Sequence, residues 1–263
     1  MKKALVLLLA VVMVFSFTAC QKAPETEVPN VPTADATAYE GTYAEPLKMG
    51  TNAAFPPYEY KEGEAFKGID IEIADAIAKE LGTTLEVVDM EFDSIIASVQ
   101  KGEVNFGIAG MTVTDERKEE VDFTASYATG VQVVIVTEDS PIASLDDLEG
   151  KKIGTQLGTT GDMYSKDDYG EENVTSYGKG ADAVIALLGG DVDAVIIDNE
   201  PAKAFVAENA GLKILETEYA VEDYAIAIAK ENATLLSDIN KALEKLTADG
   251  TIDAIIAKYI SAE

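Results

Sequence analysis

The sequence of 263 residues contains no histidine, no tryptophan and a single cysteine, Cys20. Among its twenty basic residues only Arg117 is an arginine. Without histidine, no Ser-His-Asp or Cys-His nucleophilic site can form, nor a zinc site built on imidazole or several thiolates. One cysteine excludes a disulfide within the chain. Positive charge is scarce, with 20 Lys and Arg against 48 Asp and Glu, a formal charge of −28. Phosphate chains are held by clustered cations, so nucleic acid is excluded as a partner. No EF-hand spacing is present, and no metal or cofactor is expected. Hydrophobic residues make up 47%, which a globular chain requires. The length allows one large or two medium domains.

Long apolar runs are scarce as well, and the longest, Ala4 to Val14, follows Met1-Lys-Lys. A basic start, a short apolar run and the small residues of Phe15-Ser-Phe-Thr-Ala-Cys20 describe an export signal over residues 1–19. The run is too short to span a bilayer. Thr18-Ala19-Cys20 resembles a bacterial lipobox, with Phe17 where leucine is usual. That resemblance implies cleavage before Cys20 and lipid on its sulfur, and several acyl chains anchor stably. Residues 20–44 are rich in Pro, Thr, Glu and Ala without apolar periodicity, which predicts a disordered tether. The expected location is the outer, extracellular or periplasmic face of a cell membrane.

The stretch Gly107-Ile-Ala-Gly-Met-Thr-Val-Thr-Asp-Glu-Arg117 organises the remainder. An apolar strand, Val104 to Ala109, breaks at Gly110 and leads through two threonines to the one arginine. A guanidinium offers a planar fork that grips a carboxylate through two parallel bonds, which lysine cannot do. Thr112 adds a hydroxyl, and Gly110 lets a ligand approach the backbone. A surface arginine after a strand is the plain alternative.

Upstream, the strand Leu47 to Thr51 leads into Asn52-Ala-Ala-Phe-Pro-Pro-Tyr58. The prolines stop regular structure and leave a loop presenting Phe55 and Tyr58, to cover a ligand or to pack in the core. Ile69, Ile73, Ile77 and Leu81, four apart, predict an amphipathic helix stopped by Gly82. A strand at Leu85 to Val88 follows, then a second helix with Asp93 as its cap. Strands alternating with helices argue α/β with a mainly parallel sheet.

A weak echo links Met49-Gly-Thr-Asn52 with Ile153-Gly-Thr-Gln156, and suggests two lobes built alike with ligand-facing loops at strand ends. Val131 to Val136 reads as a strand crossing between lobes, as does Tyr224 to Ala229. Gln156-Leu-Gly-Thr-Thr-Gly-Asp162 opens a helix whose free N–H groups suit an anion at Thr159 and Thr160. The strand Val192 to Ile197 ends in Asp198, which could receive an ammonium group or cap the following helix.

From Leu47 to Ile260 the chain resembles the bacterial extracellular solute-binding proteins of family 3. The resemblance rests on Gly68-Ile-Asp-Ile-Glu-Ile-Ala-Asp-Ala-Ile-Ala-Lys-Glu-Leu81, on Ala109 to Arg117, and on Val121-Asp-Phe-Thr-Ala-Ser-Tyr127. It departs at Ser126, where proline is usual. The resemblance implies a type II, Venus-flytrap, periplasmic-binding-protein-like α/β fold with two crossing strands. Residues 45–132 and 226–263 would form one lobe and 133–225 the other.

By the same resemblance, Arg117, Thr112, Gly110 and Thr160 would hold an α-carboxylate. Asp198 and the Ala109–Gly110 backbone would hold an α-ammonium, with Phe55 and Phe92 flanking the ligand. Asn52 and Gln156 would face the side chain, while Glu222 and Asp223 could draw a cation. The implied function is capture of a polar or basic L-amino acid by a monomeric binding protein that delivers it to an ABC permease. The alternative is an enzyme on the same fold, of the cyclic-acid dehydratase type, using Asp93 or Glu59 as acid or base.

Overall fold

The strand Leu47–Thr51 lies inside the first of two main sheets, between Leu85–Asp89 and Phe106–Gly107 and parallel to both. In this computed structural model residues 39–260 are described; residues 1–38, including the export signal and Cys20, lie outside them. The helix Ile69–Glu80 connects the first two parallel strands. Its apolar residues recur at four, so Ile69, Ile73 and Ile77 are fully buried, and Gly82 ends it at φ +76°. Ala227–Ile228 and Asp122–Phe123 complete the sheet in antiparallel register.

The second sheet runs Val174–Tyr177, Ile153–Gln156, Ala194–Asp198, Ala128–Thr137, Leu212–Ile214. Its first three strands are parallel; Ala128–Thr137 is antiparallel to its partners, including Ala220–Tyr224. Val133 to Val136 are buried, as a strand inside a sheet covered on both faces requires.

Between the sheets the backbone crosses twice. Tyr127 N donates to Tyr224 O at 3.0 Å, Thr124 N to Ile226 O at 3.1 Å and Ala225 N to Met111 O at 3.1 Å. Tyr224 pairs in the second sheet and Ala227 in the first, so Tyr224 to Ala229 does cross. Val131 to Val136 does not. Residues 128–132 already pair with 220–224, which places the whole strand in the second sheet and moves this crossing upstream of Ala128.

Other local expectations are also modified. The loop after Thr51 contains strands, because Ala54–Phe55, Glu59–Glu62 and Ala65–Lys67 form a small antiparallel sheet with Pro56-Pro57 in its first turn. Asp93 caps nothing; it sits inside a 3-10 turn, Phe92–Ser94, that runs into the helix Ile95–Gln100. The last residues assigned to the tether are docked. Asp238, fully buried, accepts from Glu40 N, Gly41 N and Tyr43 Oη at 2.7 Å each, while Tyr39 Oη donates to Glu80 at 2.8 Å. A buried carboxylate needs donors, and residues 39–43 supply them. Among the described residues no helix is long and apolar enough to cross a membrane.

Candidate functional site

Strands of both sheets end towards one narrow cavity. All eleven residues singled out from the sequence as ligand-facing line it: Asn52 and Phe55; Phe92; Ala109, Gly110, Thr112 and Arg117; Gln156, Thr159 and Thr160; and Asp198. Glu59 lines it too, whereas Asp93 does not. Asn52, Gln156 and Asp198 stand at or just past the carboxyl ends of their strands, where open α/β sheets place ligands.

Arg117 is in the short helix Asp115–Glu120, which Thr114 caps by accepting from Arg117 N at 3.2 Å. The cap turns the arginine inward, and its side chain is buried. One terminal nitrogen donates to Thr112 O at 2.6 Å, the other to Gly158 O at 3.0 Å, and Phe92 stacks 5.3 Å from the guanidinium carbon. Two of five N–H donors are thus used, and among the described residues the guanidinium forms no ion pair. Burial lowers its pKa, and the charges of Glu222 and Asp198 act against that. A buried guanidinium with unused donors stabilises an anion brought beside it.

Across the cavity Thr160 begins the helix Thr160–Tyr169, with Thr159 as its cap. The Thr159 hydroxyl donates to Gln156 O at 2.8 Å and accepts from Asp162 N at 3.2 Å. That hydroxyl is committed to the cap, so it is the helix start itself that can face an anion. Asp162 fixes this turn by accepting from Thr155, Ser176, Gly158 N and Lys166, at 2.6 to 3.2 Å. Burial raises the Asp162 pKa, but the bonds from Ser176, Lys166 and Thr155 outweigh it and the net shift is downward.

Gly110 has φ +51°, and a Cβ there would sit 3.1 Å from the Phe55 ring. Its N–H donates to Asp70 Oδ2 at 2.7 Å. That N–H is therefore engaged within the protein rather than open towards a ligand. Ala109 and Phe92 are buried beside it, and Phe55 stacks on Tyr58 with centroids 6.1 Å apart.

At the opposite end Asp198 is buried. It occupies the cap position of the helix Asn199–Glu208, yet its side chain makes no capping bond. Instead its carboxylate accepts from the Tyr224 hydroxyl. Burial pushes its pKa up to about 7, offset in part by the Tyr224 bond, with the charge of Glu222 adding to the rise. Nearby, burial raises Asp70 to about 6 against bonds from Gly110 N and the Tyr127 hydroxyl, and pushes Glu59 well above its ordinary value. Neither oxygen of Glu59 accepts from a donor, and Asp70 Oδ1 is equally without one. The charges of Asp70 and Asp198 add to the rise at Glu59.

Asp70, Gln132 and Glu222 escaped assignment to the site. Asp70 stands in the buried stripe of its helix beside Ala74 and Ile77, and Gln132 interrupts the apolar run from Val131 to Val136. A lone polar residue in a buried pattern was the available signal. Glu222, expected to draw a cation, accepts from Gln132 at 2.9 Å, Thr160 at 2.9 Å and Thr112 at 3.1 Å.

Comparison with known proteins shows the family. The model of "Bacterial extracellular solute-binding proteins, family 3" matches residues 47–262. The arginine-binding extracellular protein ArtP of Bacillus subtilis (strain 168) is 32% identical over 100% of both chains. Among solved structures, an ancestral arginine-binding protein bound to arginine is 43% identical, with a TM-score of 0.77 over 82% of this chain and 98% of its own. An ancestral arginine-binding protein bound to glutamine is 42% identical, with a TM-score of 0.78 over the same shares.

Proposed function

The chain belongs to the bacterial extracellular solute-binding proteins of family 3, and we propose that its cavity closes around one polar or basic L-amino acid. The family and the relatives compared are binding proteins, not enzymes. One observation carries the reading: a buried guanidinium with unused donors and a buried carboxylate line the same cavity. A zwitterion is complementary to both. Arg117, with the Thr160 helix start, takes the α-carboxylate, and Asp198 takes the α-ammonium. The aromatic rings of Phe55 and Phe92 flank the ligand body.

At the side-chain end, Asn52 and Gln156 offer amides. A guanidinium or terminal amide satisfies that set, so L-arginine and L-glutamine are the first candidates. The relatives bound to arginine and to glutamine support this choice. The two sheets and two crossings support hinge closure in which ligand contacts to both lobes stabilise the closed form. The expected acceptor of the cargo is an ABC permease, with the protein monomeric and held at the membrane by lipid on Cys20.

A thermal-shift screen of the full chain, stripped of ligand by unfolding and refolding, tests the reading. A ligand at a hundred times its Kd adds roughly 2.7 kcal/mol, which raises the melting temperature by about 5–10 °C. No shift with any of the twenty amino acids would overturn it.

A further inference from the structure

Thr112 and Thr160 approach each other from opposite sides of the cavity, their hydroxyl oxygens 3.5 Å apart. One oxygen of Glu222 accepts from both, at 3.1 and 2.9 Å, and from the Gln132 amide at 2.9 Å. The Glu222 side chain is buried, on the strand Ala220–Tyr224 that leads into a crossing. Its other oxygen is buried, and the Tyr164 hydroxyl lies beside the carboxylate.

A threonine hydroxyl has one proton to donate. When that proton points at Glu222, it is not available to a second carboxylate. The two hydroxyls expected to receive the carboxylate of a ligand are therefore already donating to a carboxylate of the protein, close to the Arg117 guanidinium whose pKa responds to it.

We propose that Glu222 is an internal competitor for the ligand carboxylate, a positioning residue that holds Thr112 and Thr160 together and sets affinity and selectivity. The proposal rests on the amino-acid reading of the cavity. An incoming α-carboxylate must take over the two hydroxyl protons, leaving Glu222 with the Gln132 amide and the Tyr164 hydroxyl. A ligand with a carboxamide in place of the carboxylate meets no such conflict, since its NH₂ group can donate to Glu222. The residue thus narrows the preference for acids over amides and weakens binding of the acid.

Calorimetric titration of the wild type, Glu222→Gln and Glu222→Ala with L-arginine, L-glutamine and L-arginine amide tests this. Glutamine at 222 keeps the shape and removes the charge, and the alanine variant serves should the glutamine variant not fold. The expected result is about tenfold tighter binding of the free amino acid, the scale of one hydrogen bond to a charged group, without a matching gain for the amide. A purely structural role would move acid and amide together, and an unchanged ratio of their affinities overturns the proposal. Wild type that binds none of the three, and no other amino acid in the screen, overturns the amino-acid reading and this proposal with it.

Discussion

Asn52 Oδ1 accepts a hydrogen bond from Gln156 Nε2 at 3.0 Å, joining the two Gly-Thr-amide strand ends that echo each other in sequence. Both side chains are buried, and Asn52 Nδ2 donates to Met90 O at 2.7 Å. Each lobe contributes one amide to the same side of the cavity. An amide pair neither demands nor rejects a cation. We expect Asn52→Asp to favour cationic side chains, lowering the Kd for L-arginine relative to L-glutamine by about tenfold, the scale of a charge-assisted bond. Calorimetry with both ligands decides it, and an unchanged ratio would place the side chain elsewhere.

Arg117→Ala removes the anion clamp, and binding should weaken by at least about 100-fold, since hydrogen bonds to charged groups contribute roughly 1.5–3 kcal/mol each. The arginine also donates to Thr112 O and Gly158 O and stacks on Phe92. A stability loss of about 1–3 kcal/mol accompanies the loss of binding. Arg117→Lys keeps the charge without the fork and should recover only part of the affinity. Melting curves beside titrations separate the two effects; full affinity in the alanine variant sinks the clamp.

Asp198 has a pKa of about 7 because it is buried, above the ordinary aspartate range near 4. The ligand-free native state holds a proton that the unfolded chain releases, so this group makes stability fall as pH rises from about 4 to about 7. Binding runs the other way. An ammonium ion is received by the ionised carboxylate, so affinity should rise with pH up to about 7 and then level, with proton release on binding near pH 6. Titrations in two buffers of different ionisation enthalpy measure that release. Asp198→Asn should abolish it, and a flat affinity profile in the wild type would falsify the assignment.

Asp162→Ala leaves Thr155, Ser176, Gly158 N and Lys166 without their common acceptor. The turn that carries Thr159 and Thr160 loosens, although Asp162 does not line the cavity. We expect about 2–3 kcal/mol of destabilisation and a several-fold loss of affinity, from the burial of unpaired donors. Urea unfolding and titration on the same preparation check both, and unchanged affinity would separate this network from the site.

Periodicity and turn chemistry were legible in the sequence wherever a local pattern faces a continuous core. The helix Ile69–Glu80, the Gly82 stop and the helix start at Thr160 follow from residues within one or two turns of each other. The single arginine followed from composition, because a guanidinium has a geometry that lysine cannot supply. Those signals single out Phe55, Gly110, Thr112, Arg117, Thr159, Thr160 and Asp198, and the family resemblance adds Asn52, Phe92, Ala109 and Gln156. The sequence alone could not say which polar atoms were still open to a ligand. Gly110 N is taken by Asp70, the Thr159 hydroxyl by its own cap, and the Thr112 and Thr160 hydroxyls by Glu222. These partners lie 40 to 110 residues away, except for the cap. Hydrogen-bond commitment and pKa depend on distance and burial in three dimensions. Local pattern thus determined the elements and the residue types at the cavity, and only the tertiary packing decided how each donor, acceptor and proton there is used.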